Sequence, residues 1–524
     1  MSEIMIHKLC EDISDYDGFV LYGAGFLARK MLEELKKTEY CPLYCVVTSL
    51  ENNERKLDNI DVYDLNEKLQ ELKKRKIAIV VSVTQKYENE IYELLRKNNI
   101  TNVLLASHYF WTTLNKETFD AIYRDKDFNW YFTRIREWYW KKYDKELNAF
   151  LFSKQENTNN IILVVENFAP RVLKISKSLQ EQGKNVMVLL HNTMKESCWR
   201  KFYSFLVSNN IKHFFYDGIE ELIFLLLRNK PQIIHIFSNQ WNIYPAYIIV
   251  RLQNNLGKVV FENYDIANGF YTNFDEKMLQ LERFCLENAH GVCYREYSLE
   301  YLIGTLKFNI KGKTVRFFDF CSDEYIVNNN KNDIGELALC YAGGVVTEEE
   351  SPDCPFGGFL GIAEECEKNR CHLHIYPSVW NEKRYEKYIV KSKQSLYFHF
   401  HKVLDYDKLV NELSQYDYGI VPTKDNVWEK EFSGYNTKYK YIYAATNKYF
   451  DYLDAGLPII AGLPLKMVEC LEKKGVLINW KNGQYDFEYL RKMKDKMKSN
   501  VMMVKEELRI GRHINKLLDF YESI

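Results

Sequence analysis

The sequence lacks several features that would assign the protein to a class at once. None of its 12 cysteines belongs to a Cys-x-x-Cys pair, so the usual zinc spacing is missing and most cysteines are expected to be reduced and buried. No run approaches the roughly 20 apolar residues that cross a bilayer, and charges throughout the first residues are unlike a signal-peptide core. The 71 Lys and Arg residues nearly cancel the 72 Asp and Glu residues, which leaves no basic excess for a nucleic acid. These absences predict a cytoplasmic protein that touches a membrane peripherally at most and does not bind nucleic acid.

What the sequence does have is length and a repeated pattern. A chain of 524 residues is too long for one hydrophobic core. Short apolar runs alternate with helix-length segments, and this alternation is typical of doubly wound parallel sheets. The pattern predicts an α/β protein with a Rossmann-like domain over 1–108, an aromatic and basic helical linker over 109–157, a second Rossmann-like domain over 158–330, a third over 331–500 and a C-terminal helix over 501–524.

The first predicted domain opens with a glycine-rich turn. The apolar run Phe19–Tyr22 leads into Gly23 and Gly25, and Ala28 occupies the third small position of the dinucleotide fingerprint. The second strand should then end in a carboxylate that holds a ribose, yet it ends at Thr48. The turn leaves two alternatives open, a lobe that uses a dinucleotide such as NAD and an evolutionarily reused or sugar-nucleotide-sensing Rossmann-like lobe.

The linker contains an unusual mixture of aromatic and basic residues in the run WYFTRIREWYWKKYDKELNAFLF. Such a mixture on a helix can lie at a membrane interface. Acidic residues within the same run favour the alternative, a helix wedged between domains with its aromatic side chains buried.

The segment 447–460, NKYFDYLDAGLPII, combines helix signals with a charge pair. A cap at Thr446 or Asn447 can begin a short helix, which a Gly and a Pro end before an apolar strand. Lys448 and Asp451 are three residues apart and therefore share a helix face. A helix N-terminus beside a cation suits a phosphate, and a carboxylate behind it suits sugar hydroxyls. An ordinary helix–strand joint with a surface charge pair is the alternative.

Several segments, in this order, resemble glycosyltransferases of the GT-B fold, and family 4 most of all. They are APRVLKISKSLQEQGKNVMVL, PQIIHIF, LQLERFCLENAHGVCYRE, YAGGV, DKLVNELSQYDYGIVP and NKYFDYLDAGLPII, the last of which resembles the family signature NKxFEYLAAGxPVV. The resemblance covers about residues 158–524. It implies two Rossmann-like domains that face each other across a cleft, an acceptor domain followed by a nucleotide-sugar donor domain, with an extra Rossmann-like lobe before them.

The same resemblance implies roles for residues on the donor side. Asp451 would accept hydrogen bonds from the donor ribose in place of the usual Glu. Lys448 and the backbone amides of Thr446 and Asn447 would neutralise the diphosphate. The Gly343–Gly344 pair would let the backbone approach the phosphates closely. Because fixed dipoles and cations replace Mg²⁺, the resemblance implies no metal and no cofactor apart from the donor substrate.

Two departures from the family pattern bear on catalysis. A second carboxylate, expected eight residues before Asp451, is replaced by Tyr443, and the usual Arg and Lys after the glycine pair are replaced by Glu348–Glu350. Three cations are candidate replacements: Lys438, Lys440 and Arg316. The departures leave open a diverged transferase and a protein that has lost catalysis.

The acceptor side is predicted from polar residues that follow apolar strands. The candidate acceptor-binding residues are Asn239, Trp241 and Asn268. Glu262 and Asp265 are candidate general bases for an inverting reaction, because a hydroxyl nucleophile needs a proton acceptor. His235 is either catalytic or structural. Most family 4 relatives retain configuration, and the resemblance then implies that the leaving phosphate takes the proton.

The sequence therefore predicts a metal-independent, retaining glycosyltransferase that moves a sugar from a nucleoside-diphosphate sugar to a glycan or lipid-linked acceptor. The resemblance to relatives that carry an extra N-terminal Rossmann-like lobe implies a role in bacterial surface polysaccharide biosynthesis. Two alternatives are a non-catalytic GT-B scaffold in polysaccharide assembly and a bifunctional enzyme whose N-terminal lobe uses a dinucleotide.

Overall fold

A computed structural model describes most of the chain. The described residues are 9–10, 12–51, 53–74, 76–83, 85–106, 119, 123–143, 160–166, 170–191, 205–216, 218–239, 242–271, 274–324, 335–347, 358–378, 380–404, 406–422, 437–463, 465–480 and 485–524. Among the predicted features, Trp241 and Glu348–Glu350 lie outside this set, as do the side chains of Lys438 and of linker residues 137–143.

The secondary structure alternates between short strands and helices. The strands are β1 Gly18–Tyr22, β2 Cys45–Val47, β3 Lys56–Leu57, β4 Ile60–Asp64, β5 Ile77–Val81, β6 Val103–Leu105, β7 Asn160–Val165, β8 Asn185–His191, β9 Lys212–Tyr216, β10 Ile233–Ser238, β11 Lys258–Asn263, β12 Gly291–Tyr294, β13 Lys313–Arg316, β14 Leu337–Gly343, β15 Cys371–Pro377, β16 Phe398–Phe400, β17 Tyr418–Val421, β18 Ile459–Ala461 and β19 Leu477–Asn479. The helices are α1 Phe26–Leu35, α2 Leu65–Lys74, α3 Gln85–Lys97, α4 Phe128–Tyr143, α5 Pro170–Glu181, α6 Ile219–Asn229, α7 Tyr244–Leu256, α8 Ala267–Phe270, α9 Glu276–Asn288, α10 Ser298–Gly304, α11 Phe359–Lys368, α12 Glu386–Gln394, α13 Tyr406–Leu413, α14 Thr437–Tyr443, α15 Asn447–Asp454, α16 Leu465–Lys473, α17 Phe487–Glu507 and α18 Ile510–Ser523.

These strands form three sheets. Their orders are β3-β4-β2-β1-β5-β6, β13-β12-β11-β10-β7-β8-β9 and β16-β15-β14-β17-β18-β19. The strand pairs with a defined register are parallel, except for β3 with β4. The central strands β5, β7 and β17 are buried along their whole length, which explains why they are continuous apolar runs without polar alternation.

The chain divides into two compact units. The first comprises residues 1–151, 190–195 and 215–229, and contains the first sheet. The second comprises residues 152–189, 196–214 and 230–524, and contains the third sheet and most of the second. The finer domain limits given above stay predictions.

The fold class predicted from the sequence is confirmed. The second and third sheets are Rossmann-like sheets that meet at their carboxyl ends within one unit, as the GT-B fold requires, and a further Rossmann-like sheet precedes them along the chain. No helix within the described ranges is long and apolar enough to cross a membrane.

The predicted C-terminal helix is instead the end of a helix pair. Arg509 has an extended backbone (φ −60°, ψ 133°) and separates α17 from α18. This break lets the backbone pair with Cys321, whose N–H donates to Leu508 O and whose carbonyl accepts from Ile510 N, each at 2.9 Å. The second helix then reaches the second sheet, where Tyr521 Oη lies 2.6 Å from His235 Nδ1.

Candidate functional site

The carboxyl ends of the second and third sheets are joined by hydrogen bonds. Tyr264, which follows β11, donates its hydroxyl to Asn447 Oδ1 at the first residue of α15, at 2.7 Å. Glu296, which follows β12, accepts from the Ala445 amide at 3.2 Å. The start of α15 is therefore held by residues that follow two neighbouring strands, and this edge of a parallel sheet is where such folds bind ligands.

The N-terminus of α15 has no side-chain cap. Thr446 is its N-cap residue, with an extended backbone, and its side chain makes no capping hydrogen bond. The adjoining end of β14 is pinned, because Tyr341 donates its hydroxyl to Gly344 O at 2.6 Å and the Ser378 amide donates to Gly343 O at 2.9 Å. Uncapped amides at a helix N-terminus are donors that suit a phosphate.

Lys448 lies in the first turn of α15 and packs on the end of β14. A Cβ added to Gly343 would overlap Lys448 Cε, and Gly343 has a φ of +147°, so glycine is required there for both space and conformation. Among the described residues, Lys448 Nζ has no hydrogen-bond or ion-pair partner, and the Tyr341 ring lies 5.7 Å away. Burial lowers the pKa of Lys448, Asp451 opposes this shift and Arg295 adds to it. A partly buried ammonium group with a second cation nearby is an environment that a bound anion would stabilise.

Asp451 lies one helical turn after Lys448, and one of its two carboxylate oxygens accepts a hydrogen bond from a described residue. Tyr406 of α13 donates its hydroxyl to Asp451 Oδ1 at 2.8 Å, and no described residue hydrogen-bonds to Oδ2. Burial raises the pKa of Asp451 to about 6, while Lys174 and the Tyr406 hydrogen bond lower it and Asp454 raises it. The carboxylate is therefore ionised above about pH 6, with one oxygen oriented by tyrosine and one able to accept from a ligand.

Arg295 is the buried cation at this junction. It is 3% exposed, and its guanidinium bonds to Asp319 Oδ2 and to the carbonyl of Tyr264, each at 3.0 Å, and lies over the Tyr264 ring. Arg295 also lies 3.6 Å from Asp265, whose other neighbour is Lys440 at 3.4 Å. Burial would raise the pKa of Asp265, but Lys440 and Arg295 lower it overall. Asp265 is thus an ion-pair partner, and this pairing weakens it as a proton acceptor.

The three candidate replacement cations have different surroundings. Lys440 is paired with Asp265, as above. Arg316 lies on β13 and bonds to Glu300 at 2.9 Å, with both side chains partly exposed. The side chain of Lys438 lies outside the described residues. Among the described residues, Lys448 places at the sheet edge an ammonium group that has no ion-pair partner.

Tyr443, which occupies the position of a family carboxylate, belongs to an aromatic stack. Its ring lies 5.4 Å from that of Tyr301, which in turn lies 4.2 Å from Tyr439. Lys466 Nζ lies 4.4 Å from the Tyr443 ring centre, and the Tyr443 carbonyl accepts from the Tyr297 amide at 2.9 Å. The tyrosine therefore packs α14 against α10, the helix that follows β12, and its aromatic ring makes stacking contacts that a carboxylate could not make.

Glu296 is a buried carboxyl group with one unbonded oxygen. It is 2% exposed, and its Oε1 has no hydrogen-bond partner among the described residues. Burial raises the pKa of Glu296 to about 7, although Arg295 and the Ala445 amide lower it.

Glu296→Gln is expected to remove a pH dependence of stability. The folded protein keeps a proton that the unfolded chain releases between the ordinary pKa of 4.5 and about 7, so the free energy of unfolding falls as pH rises through this window. The variant should lack this fall, which amounts to roughly 3 kcal/mol. Hydrogen exchange of the β12 amides in increasing urea, on both sides of this window, measures the difference locally, with exposed Glu365→Gln as the control. Equal pH slopes for wild type and Glu296→Gln would contradict the assignment.

Glu262 and His235 are buried in a structural network, away from any accessible edge. Glu262 is 2% exposed and pairs with Arg171 through two bonds, of 2.7 and 3.0 Å. His235 is fully buried between Glu262 and Tyr521. Burial would raise the pKa of Glu262, but Arg171 and His235 lower it overall, well below the usual range. The structure does not support a general base at Glu262 or a catalytic His235, because neither side chain can reach a substrate hydroxyl from this network.

Two of the predicted acceptor residues serve the fold of their own loops. Asn239 donates to the carbonyl of Glu166 and accepts from the Asn242 amide, both at 2.9 Å. Asn268 donates its side-chain amide to Glu282 at 2.6 Å and to Leu279 O at 2.9 Å. These bonds argue against free amide groups for a sugar, and the prediction for Trp241 lies outside the described residues.

The glycine-rich turn of the first unit has the predicted backbone. Gly23 has a φ of +121°, and a Cβ there would lie 2.8 Å from Ser82 O, whereas Gly25 is open and Ala28 is fully buried. Thr48, at the position of the expected carboxylate, bonds to the Tyr22 hydroxyl at 2.8 Å. The turn is built as in dinucleotide-binding folds, but its second strand offers a hydroxyl that is already bonded.

Several residues of the sheet junction were not predicted from the sequence. Arg295 and Glu296 directly follow a buried strand, so the rule that identified Asp265 could have found them. Tyr406 gave no such signal, because it comes from a helix more than forty residues away from Asp451.

Comparisons with known proteins find no family and only distant structural likenesses. No protein-family model and no curated protein sequence matches it. One similar solved structure is the pneumococcal O-GlcNAc transferase GtfA in complex with UDP and GlcNAc, with 11% sequence identity, 56% of each chain covered and a TM-score of 0.39. A second is a putative UDP-N-acetylglucosamine 2-epimerase from Listeria monocytogenes, with 13% identity, 69% of this chain and 96% of that chain covered and a TM-score of 0.41. A third is AviGT4, a glycosyltransferase involved in avilamycin A biosynthesis, with 9% identity, 69% of this chain and 97% of that chain covered and a TM-score of 0.39. The chain thus spans about half the length of GtfA. A likeness at this level does not extend to activity or ligand.

Proposed function

We propose that this protein is a glycosyltransferase of the GT-B fold that takes its sugar from a nucleoside-diphosphate sugar. The observation that carries the proposal is Lys448, an ammonium group without a described partner at the uncapped N-terminus of α15, beside the Gly343 backbone. This set of donors suits the diphosphate of a leaving nucleotide. Asp451, one turn further on, has an oxygen able to accept from ribose hydroxyls.

The finer parts of the proposal follow from the same residues. Lys448 and the amides of α15 can stabilise the departing diphosphate without Mg²⁺, so we propose a metal-independent transfer. The paired state of Asp265 and the burial of Glu262 favour a retaining reaction, which needs no protein base. The proposed acceptor is a glycan or a lipid-linked glycan in bacterial surface polysaccharide biosynthesis, reached from the cytoplasm or the inner face of the membrane.

Calorimetric titration of the full chain with UDP, GDP and CDP in the presence of EDTA tests this function. One nucleotide should bind, and Lys448→Met and Asp451→Asn should each weaken it by about tenfold to a hundredfold, as expected for charged hydrogen-bonding partners. Lys368→Met, on the exposed face of α11, is the matched control and should leave binding unchanged. The proposal would be overturned if none of the nucleoside diphosphates bound to the protein, or if Lys448→Met bound the nucleotide as tightly as wild type does.

A non-catalytic scaffold is the second candidate, and the pairing of nearby cations favours it. Lys440 and Arg316, which could replace the missing phosphate-binding pair, are each engaged with a carboxylate. The rate at which the bound donor sugar yields free nucleoside diphosphate separates the two functions. A transferase should release nucleoside diphosphate, and Lys448→Met should release it more slowly. A scaffold should bind the donor without turnover.

The same titration should include NAD and NADPH, because use of a dinucleotide by the first lobe is an alternative function of the protein. The bonded Thr48 hydroxyl predicts no binding of either. Binding of NAD that Lys448→Met leaves unchanged would assign chemistry to the first unit.

A further inference from the structure

Four histidines line one face at the edge of the third sheet. Residues alternate between the two faces of a strand, so the run CHLHIYP places His372 and His374 on one face of β15. His399 of β16 is the register neighbour of His374, and His401 follows two residues later. These four residues, which we name the histidine ladder, bring imidazoles from two strands to the same side of the sheet.

The rings of the histidine ladder are within the range of a shared metal ion. His372 Nδ1 lies 3.0 Å from His399 Nε2, and the rings of His374 and His399 stack with centres 4.2 Å apart. One ring nitrogen from each of these three histidines lies within 4.8 Å of the other two. Tetrahedral zinc with Zn–N bonds of about 2.0–2.1 Å separates its ligand nitrogens by about 3.3 Å. Side-chain rotations can close this difference, because the strand register already places the three rings together.

Two neighbours orient the ladder as metal ligands are usually oriented. Glu336 Oε2 lies 3.2 Å from His372 Nε2, which leaves His372 Nδ1 to face an ion. His401 Nε2 lies 3.0 Å from His374 Nδ1, which leaves His374 Nε2 to face it. A carboxylate or another acceptor on the far nitrogen fixes the tautomer of a ligating histidine.

The ladder also has an entry path. The His372 side chain is 12% exposed, so the ladder is reachable from solvent.

We propose that His372, His374 and His399 bind one transition-metal ion of the Zn²⁺ type, with water as the fourth ligand. Imidazole nitrogens select such ions over Mg²⁺ and Ca²⁺, which prefer oxygen. The strand β16 has three residues and forms the edge of the sheet, so the ion would fasten it to β15 as a structural link. The position is separate from the proposed donor site: the ladder residues of β15 lie in its first half, and Gly343 is paired with Pro377 at its end.

Metal binding by the EDTA-treated full chain tests this inference, with Zn²⁺ and Co²⁺ as probes. Zn²⁺ should bind one per chain and raise the thermal midpoint, Co²⁺ should give the visible absorption of tetrahedral coordination, and Mg²⁺ should do neither. The double variant His372→Asn/His399→Gln should lose the Co²⁺ spectrum and the Zn²⁺ stabilisation. Glu336→Gln should bind Zn²⁺ about 10-fold to 100-fold more weakly, because it orients a ligand without touching the ion.

Two controls address other zinc-binding residues and loss of folding. Cys41→Ser removes an exposed thiol and His513→Gln a histidine outside the ladder, and both should bind Zn²⁺ as wild type does. Circular dichroism of the metal-free double variant should match that of metal-free wild type. Zn²⁺ binding that survives the double variant, or that Cys41→Ser abolishes, would refute the site, as would failure of the wild type to bind. The nucleotide titration needs no metal, so the proposed function stands or falls separately.

Discussion

Arg171→Ala is expected to destabilise the second sheet by about 3–5 kcal/mol, because it leaves the carboxylate of Glu262 buried without its partner. The side chains of both residues are 2% exposed, and their two hydrogen bonds are 2.7 and 3.0 Å long. Arg171 also donates to the carbonyl of Phe318 and lies 3.7 Å from Asp319, so one guanidinium holds together α5, β11 and the segment after β13. Hydrogen exchange of the β11 amides in increasing urea measures the loss locally, which avoids treating a chain of several domains as a single folding unit.

Two further variants separate loss of charge pairing from loss of packing. Arg171→Met/Glu262→Leu removes both charges with similar volume and should recover most of the stability. Arg29→Ala breaks the partly exposed pair with Glu54 and should cost less than about 1 kcal/mol. The stability contributed by the buried pair should disappear as pH falls below the ordinary pKa of Glu, because the folded-state pKa of Glu262 is depressed. An Arg171→Ala variant as stable as Arg29→Ala would contradict this account.

Asp454→Ala is expected to cost a similar amount, about 3–5 kcal/mol, and to loosen α15 in addition. Asp454 is the last residue of α15 and is 2% exposed; its Oδ2 lies 2.6 Å from Lys174 Nζ, and its Oδ1 accepts from the Ser322 amide at 2.7 Å. Burial would lower the pKa of Lys174, but Asp454 and Asp451 keep it above its ordinary value. Removal of Asp454 leaves this lysine buried with one acidic neighbour fewer, at the point where α15 is attached to the second sheet.

The measurement is hydrogen exchange of the α15 amides compared with those of β7, together with nucleotide affinity. The α15 amides should exchange faster in Asp454→Ala, and nucleotide binding should weaken even though Asp454 lies at the opposite end of α15 from Lys448. Asp519→Ala, on an exposed position of α18, is the control and should change neither. Unchanged exchange in α15 would show that the Lys174–Asp454 pair does not hold this helix.

Much of the fold was predictable because it depends on periodicity that each segment carries locally. The apolar runs at β5, β7 and β17 identified buried parallel strands, since such strands need no polar alternation. The Gly and Pro that follow the helix at 447–454 predicted its end, and α15 does end at Asp454. The break at Arg509 was not predictable, because it is stabilised by backbone bonds to Cys321, a residue remote in sequence.

The candidate site divides in the same way. The sequence by itself determined that Lys448 and Asp451 share a helix face, because a spacing of three residues on a helix needs no further information. Only the tertiary structure decided which polar groups are free: it paired Glu262 with Arg171 and Asp265 with Lys440, and it left Lys448 without a described partner beside Gly343. The physical reason is that the charge and accessibility of a buried group depend on neighbours brought from distant parts of the chain, whereas helix and strand patterns depend on residues close in sequence.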